Sequence, residues 1–279
     1  MTPQNLPSNP QANSANSSFL PQLWQFRHFI YGSVRREFQT RYANSLFGFA
    51  WPFLQPAVMI LIYTVVFSQL MQAKIPGVQS EASYSIFLCA GLIAWNLNAE
   101  LLTRFANLFI ENANLLKKVS FPWFCLPVIT AVSGVINHLI MAALLLVIVV
   151  SMGGVSWLAC LHLIPLLLLL VLFSSGLGLV LAIVNVFFRD VGQLLGLGLQ
   201  LWFWLTPVVY PLNILPDYAQ RLVQLNPMLP IVQAYQSLLA SASLPNYPSL
   251  AYPLVLAALL WLVALRMANK RLPDVIDEL

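Results

Sequence analysis

The run from Leu163 to Phe187, LIPLLLLLVLFSSGLGLVLAIVNVF, decides the fold. It places eighteen Leu, Ile, Val and Phe residues in 25 positions and carries no charge. A helix needs about 20 apolar residues to cross the hydrocarbon core of a bilayer. At roughly −0.3 to −0.6 kcal/mol each near the centre, these side chains favour insertion by at most about 5–11 kcal/mol. One central charge would oppose it by about 2.5–3.5 kcal/mol, and this run has none.

The same pattern repeats on both sides of it. No charge falls between Arg41 and Lys74, Glu81 and Glu100, Lys118 and Arg189, Asp190 and Asp217, or Arg221 and Arg266. These gaps predict six spans, near 50–72, 83–103, 127–150, 163–187, 192–211 and 250–268. Ser151, Gly153, Gly154 and Ser156 divide the two that share the long Lys118–Arg189 gap. Composition agrees, with 59% hydrophobic and 8% charged residues and a mean hydropathy of +0.79. A soluble domain carries roughly 25% charged residues. Helices are expected, because in lipid every backbone polar group needs an internal partner. The chain is therefore read as an all-α integral membrane protein, with a single six-helix transmembrane domain over 49–271.

Lys and Arg set the orientation. With a cytosolic N-terminus, Arg27, Arg35, Arg36, Arg41, Arg104, Lys117, Lys118, Arg189, Arg266, Lys270 and Arg271 fall inside, and Lys74 and Arg221 outside. Eleven against two is a strong positive-inside bias. An odd number of spans would put one terminal basic cluster outside. The net charge of +4 thus reflects topology and gives no reason to expect nucleic acid as a partner. Residues 1–21 read as a flexible cytosolic tail and 272–279 as a second one. Across 22–48 an interfacial amphipathic helix is expected, with Leu23, Phe26, Ile30, Val34 and Phe38 spaced by threes and fours. Arg27, Glu37 and Arg41 interrupt that stripe. Glu37 and Arg41 can pair, and the arginines can snorkel. A solvated cytosolic helix is the alternative.

Catalytic and metal chemistry find no support. Cys89, Cys125 and Cys160 form no CxxC, and His28, His138 and His162 lie far apart. Asn137 and His138 fall mid-span, where interhelical hydrogen bonding is the ordinary role. Glu100 and Arg104 are expected to pair across one helical turn. Ser174 with Gly178, and Gly192 with Gly196, suit close helix packing. No GxxxxGK[ST] occurs, so no P-loop binds ATP here. The expected spans hold no central Asp, Glu, Lys or Arg, which argues against ion-coupled transport. A membrane acyl- or glycosyltransferase would need a polar cluster at one interface. Its only candidates, Glu100, Arg104, Arg189 and Asp190, read better as inner-edge anchors.

Two segments differ from generic membrane helix. The inner segment Glu111-Asn112-Ala113-Asn114-Leu115-Leu116-Lys117-Lys118-Val119 is basic, helix-compatible and halted by Pro122. The outer segment from Leu212 to Ser249 is rich in Pro, and its apolar stretch Met228–Ala240 is too short to cross, which suggests outer re-entrant helices between spans five and six. With these stand Arg41-Tyr42, Ser45-Leu46-Phe47-Gly48-Phe49-Ala50-Trp51-Pro52-Phe53-Leu54-Gln55-Pro56, Asn114-Leu115-Leu116-Lys117-Lys118-Val119 with Phe121-Pro122, Phe188-Arg189-Asp190, and Asn226-Pro227. In this order, from about residue 20 to 271, the chain resembles the permease subunit of polysaccharide ABC transporters of the type-2 exporter class.

That resemblance implies an ATP-driven exporter of a lipid-linked polysaccharide, O-antigen favoured, in the bacterial inner membrane with both termini cytosolic. Two copies of the chain would form the channel within membrane lipid. Two cytosolic ATP-binding subunits would hold ATP and Mg, leaving this chain without cofactors. Docking on those subunits would involve Arg35, Arg36, Glu111, Asn112, Asn114, Leu115, Leu116, Lys117 and Lys118. Glycan contact is expected from Trp95, Trp202, Trp204, Tyr210 and Tyr235, since aromatic faces offer broad, tolerant contact; a lipid-facing aromatic belt is the alternative. Trp202 and Trp204, two residues apart, point about 200° from one another, so both cannot face one wall. A drug or lipid exporter of the same class competes with the polysaccharide reading, and an ion-coupled secondary transporter stands further off. The residues leave open O-antigen, capsule or teichoic acid.

Overall fold

The computed structural model describes residues 24–42, 54, 57–58, 61–62, 81–118, 122–151, 161–241 and 243–279. The expected span at 50–72 falls almost wholly outside the described residues, as do the tail at 1–21, residues 43–48 and Cys160. So do the side chains of Arg41 and Lys118.

Among the described residues all the regular structure is helical, with no strand. In order the helices are α1 (Arg27–Tyr42), α2 (Glu81–Ala106), the short α3 (Leu108–Glu111) and α4 (Ala113–Lys118), α5 (Cys125–Ser151), α6 (Leu163–Phe187), α7 (Asp190–Trp204), α8 (Asp217–Val223), α9 (Met228–Ala240) and α10 (Tyr247–Glu278). Four of them are long and apolar enough to cross a membrane: Tyr84–Ala106, Cys125–Val150, Leu163–Phe187 and Tyr247–Glu278.

The helix α2 is the hub, packed by α5, α6, α7 and α9. Small residues let it come close. A Cβ on Gly178 of α6 would sit 2.6 Å from the Phe105 Cβ, and one on Gly134 of α5 would sit 2.8 Å from a Leu101 methyl. Ser174 donates to the Asn98 Oδ1 at 2.7 Å in the same contact. The expected pair Ser174 and Gly178 therefore packs within the subunit. In the other pair, Gly192 abuts Asn185, while a Cβ on Gly196 would meet open space. Cys89 and Cys125 are buried and free, and among the described residues no His, Cys and carboxylate group together as metal ligands.

The helix α10 packs most extensively on α6. The Trp261 indole donates to the Leu172 carbonyl at 2.9 Å, and His162 meets the Tyr247 hydroxyl where the two helices begin. With 32 residues against 25, α10 outruns its neighbour and reaches α4. Residues 272–278, within the segment expected as a tail, form its last two turns, with Val275 fully buried and Leu279 just beyond the helix.

One expected span differs in form. The helix α7 has 15 residues, about 22 Å, short of the core thickness. Its continuation, 205–211, is irregular, and Thr206, Pro207 and Val208 are buried in protein. Side chains meet its carbonyls. Tyr84 donates to Val209 at 2.7 Å, and Gln236 donates to Val208 at 3.1 Å and Pro207 at 3.3 Å. Irregular backbone at membrane depth is tolerated only where protein or a water-filled cavity surrounds it. The periodicity of the sequence could not foresee partners brought from α2 and α9.

Candidate functional site

At one end of the bundle a charged network ties α1 to two long helices. Arg104 of α2 donates to the Glu37 Oε1 of α1 at 2.5 Å and, as expected from the spacing, to the Glu100 Oε1 at 3.3 Å. Ser133 of α5 donates to the second Glu37 oxygen at 2.7 Å, and Asn137 donates to Glu100 at 2.8 Å. All three charged side chains are 21–27% exposed. A carboxylate half withdrawn from water needs such partners. Asn137 therefore serves helix packing, as does His138, whose Nε2 lies 3.2 Å from the Tyr235 hydroxyl.

Two grooves flank α1. One, about 550 Å³, is polar and lined by Arg36, Thr40, Arg104, Glu111, Asn112 and Leu115, among others. It unites Arg36, Glu111, Asn112 and Leu115, expected together at a docking surface. Asn112 and Glu111 sit at the turn from α3 to α4, where the Asn112 side chain donates to the Leu108 carbonyl at 2.8 Å. Asn114 and Lys117 are exposed beside them. Two expected docking residues are placed otherwise. Leu116, expected as an apolar anchor for a partner, is 8% exposed and belongs to the subunit's own core. Its burial accompanies the packing of α4 on α10. Arg35, next to Arg36 in sequence, lines the second groove, between α1 and α5. Neighbours in a helix project about 100° apart, and here that turn separates a polar wall from an apolar one.

At the elbow Phe188-Arg189-Asp190, the three side chains are exposed, but the connection is held by Asn185. Its amide nitrogen donates to the Ala106 carbonyl at 2.8 Å, and its oxygen accepts the Gly192 N–H at 2.8 Å. The last turn of α2 and the first of α7 are thus joined by one side chain. Sequence reasoning did not single out Asn185. A lone amide inside an apolar run is its signal, since such groups must find partners in lipid.

At the other end, Asn226 of the Asn226-Pro227 pair is the comparable hub. Its oxygen accepts the Trp202 indole N–H at 2.9 Å and the Met228 N–H at 3.0 Å. Its nitrogen donates to the Thr206 hydroxyl at 2.8 Å and the Leu205 carbonyl at 3.3 Å. The expected glycan-contact aromatics divide around it. Trp95 and Trp202 meet edge-to-face with centroids 5.8 Å apart, and Phe173 adds to the stack at 6.3 Å. Trp95 and Tyr235 are buried within this subunit. Trp204 is 59% exposed, and Tyr210, half-buried, donates to its carbonyl at 2.7 Å. Trp202 is half-buried against Trp95 and Phe173 while Trp204 is exposed, so the two residues meet different surroundings. Beside Trp204, α7 presents Gln193, Leu197 and Gln200 on one exposed face.

The model of one family, described as ABC-2 type transporter, matches residues 29–240. The chain belongs to the ABC-2 type transporter family. This ABC-2 chain is 32% identical over 255 residues to a Myxococcus xanthus protein named O-antigen export system permease protein RfbA, covering 90% of this chain and 95% of the relative. A Klebsiella pneumoniae protein of the same name is 27% identical over 238 residues, covering 85% and 89%. The Escherichia coli polysialic acid transport protein KpsM is 25% identical over 236 residues, covering 82% and 86%. With its long apolar helices, the ABC-2 chain is a multi-pass membrane protein and a transport component, not an enzyme.

Proposed function

We propose that this chain is the permease of an ATP-driven exporter that moves a lipid-linked polysaccharide, of the O-antigen kind, from the cytosol across the bacterial inner membrane. The similarity to permeases named for O-antigen export, reaching 95% of such a relative's length, carries this reading. Two copies of the chain work with two cytosolic ATPase subunits, which bind ATP and Mg. Both termini lie in the cytosol, in line with the eleven-to-two basic asymmetry. Six spans complete the topology, with 50–72 as the first and α7 plus 205–211 as the fifth. The helix α9 re-enters from outside. Its Tyr235 bonds His138, midway along α5, which supports that depth.

The ATPase docks at the polar groove, using Arg36, Glu111, Asn112 and Leu115, with Asn114, Lys117 and Lys118 on the adjoining α4. The glycan passes along the exposed face of α7, where Trp204 and the Gln193 and Gln200 amides stand. Amides facing hydrocarbon are costly, so this face suits a wet path between two copies. Trp95, Trp202 and Tyr235 support that wall from behind, and Tyr210 fixes its outer end.

Reversing Lys117 and Lys118 to Glu tests docking. The variant should insert normally yet lose copurification with the ATPase; unchanged binding and export would refute the docking surface. Deleting the gene should leave a lipid-linked glycan in the inner leaflet, and its chemical analysis identifies the substrate. Accumulation of an unrelated lipid or drug instead would overturn the polysaccharide reading.

A further inference from the structure

The second groove, between α1 and α5, encloses about 580 Å³. Trp24, Ile30, Tyr31, Val34 and Phe38 line it from α1 and the residues just before, and Val132 and Ile136 line it from α5. Arg27 and Arg35 are the charged groups among its lining residues. Arg27 lies 4.8 Å over the Trp24 ring and donates to the Trp24 carbonyl at 2.9 Å. Arg35 is exposed, and no ion pair to it occurs among the described residues. Within α1 the one carboxylate, Glu37, turns away from this groove toward Arg104 and Ser133. An apolar trough with a basic lip suits neither bare water nor a small aqueous anion. A molecule carrying both a phosphate and a long hydrocarbon chain meets both requirements.

We propose that this groove holds an anionic phospholipid of the inner leaflet, its phosphate at Arg27 and Arg35 and an acyl chain along Ile30, Val132 and Ile136. The proposal rests on the cytosolic placement of α1 given above. The inner leaflet is the anionic one, and basic pockets beside its helices recognise lipid headgroups. Exposed Trp24 and Tyr31 fit the same level, since such rings favour the membrane interface. The ATPase is the weaker occupant, because the polar wall with Glu111 and Asn112 lies on the Arg36 side. So is the transported glycolipid, because its proposed path follows α7, which packs on α2 and α6. The lipid would hold α1 against the bundle and hence the docking groove in shape.

The test places the full-length chain in phosphatidylcholine nanodiscs, adds phosphatidylglycerol, and counts retained lipid by native mass spectrometry. Preferential retention of phosphatidylglycerol is expected. It should weaken about fivefold in Arg35→Gln and about thirtyfold in the double Arg27→Gln/Arg35→Gln variant, from the usual strength of one basic residue at an anionic leaflet. Arg35→Lys should retain most of it, and Arg36→Gln all of it. Equal retention in Arg35→Gln would overturn the proposal, as would equal affinity for phosphatidylcholine. Displacement by inorganic phosphate would overturn it too, and displacement by a polyprenyl-linked glycan would reassign the groove to the cargo. Docking is read separately, by ATPase copurification with Arg36→Gln. Lipid selectivity without any docking effect would sink the docking surface and leave this site standing.

Discussion

The ion pair between α1 and α2 should be energetically real and should couple to the position of α1. In Arg104→Gln the guanidinium that bridges Glu37 at 2.5 Å and Glu100 at 3.3 Å is lost. A hydrogen bond involving a charged group contributes about 1.5–3 kcal/mol net. The three side chains are 21–27% exposed, so solvent screening lowers the Glu37–Arg104 share to about 1–2 kcal/mol. The Glu37→Gln change keeps an acceptor for Ser133 and should by itself remove a similar amount. The two changes share one interaction, so they should not add. A double-mutant cycle read by thermal unfolding in nanodiscs should return a coupling of about 1–2 kcal/mol. Labelling of a cysteine at Ser33, which lines the polar groove, should speed up in both single variants as α1 loosens. Additive effects, or an Arg104→Gln cost no larger than the roughly 0.5 kcal/mol of an ordinary surface substitution, would refute the tie.

Three further outcomes are expected. Trp202→Ala should destabilise by about 2–4 kcal/mol, less than a fully buried Trp because it is half-buried, while Trp204→Ala should leave stability within about 0.5 kcal/mol yet slow glycan export; equal effects of the two on export would reject a path along α7. Gly178→Val should cost about 1–3 kcal/mol through collision with Phe105, whereas Gly196→Ala, facing open space, should be close to neutral in thermal unfolding of the subunit. Cysteines placed at positions 74 and 217 should react with impermeant reagents from outside and those at 117 and 270 should not; outside labelling at 117 would end the six-span topology.

The membrane class and the four long helices were readable from the sequence, because each rests on a quantity summed over twenty or more residues, such as insertion energy, which tolerates local error. The family was readable differently, as a resemblance carried by several short motifs in order. Short-range pairs were readable too. Glu100 with Arg104 and the opposed Trp202 and Trp204 follow from helix geometry alone.

What only the tertiary structure decided is which surface each side chain meets. Arg35 and Arg36 look equivalent in sequence, yet they line different grooves, because Val132 and Ile136 of α5 face one, while the start of α5, Arg104 of α2 and the α3–α4 turn face the other. Leu116 reads in sequence as an anchor for a partner, yet it is buried in the subunit's own core, where α4 meets α10. Asn185 and Asn226 gave no periodic signal, yet each joins elements distant in sequence through an amide that donates and accepts at once. The short α7 is of the same kind. Whether an apolar run stays helical to its end depends on whether other elements can satisfy its backbone, and Tyr84, Asn226 and Gln236 become such partners only once the chain has folded.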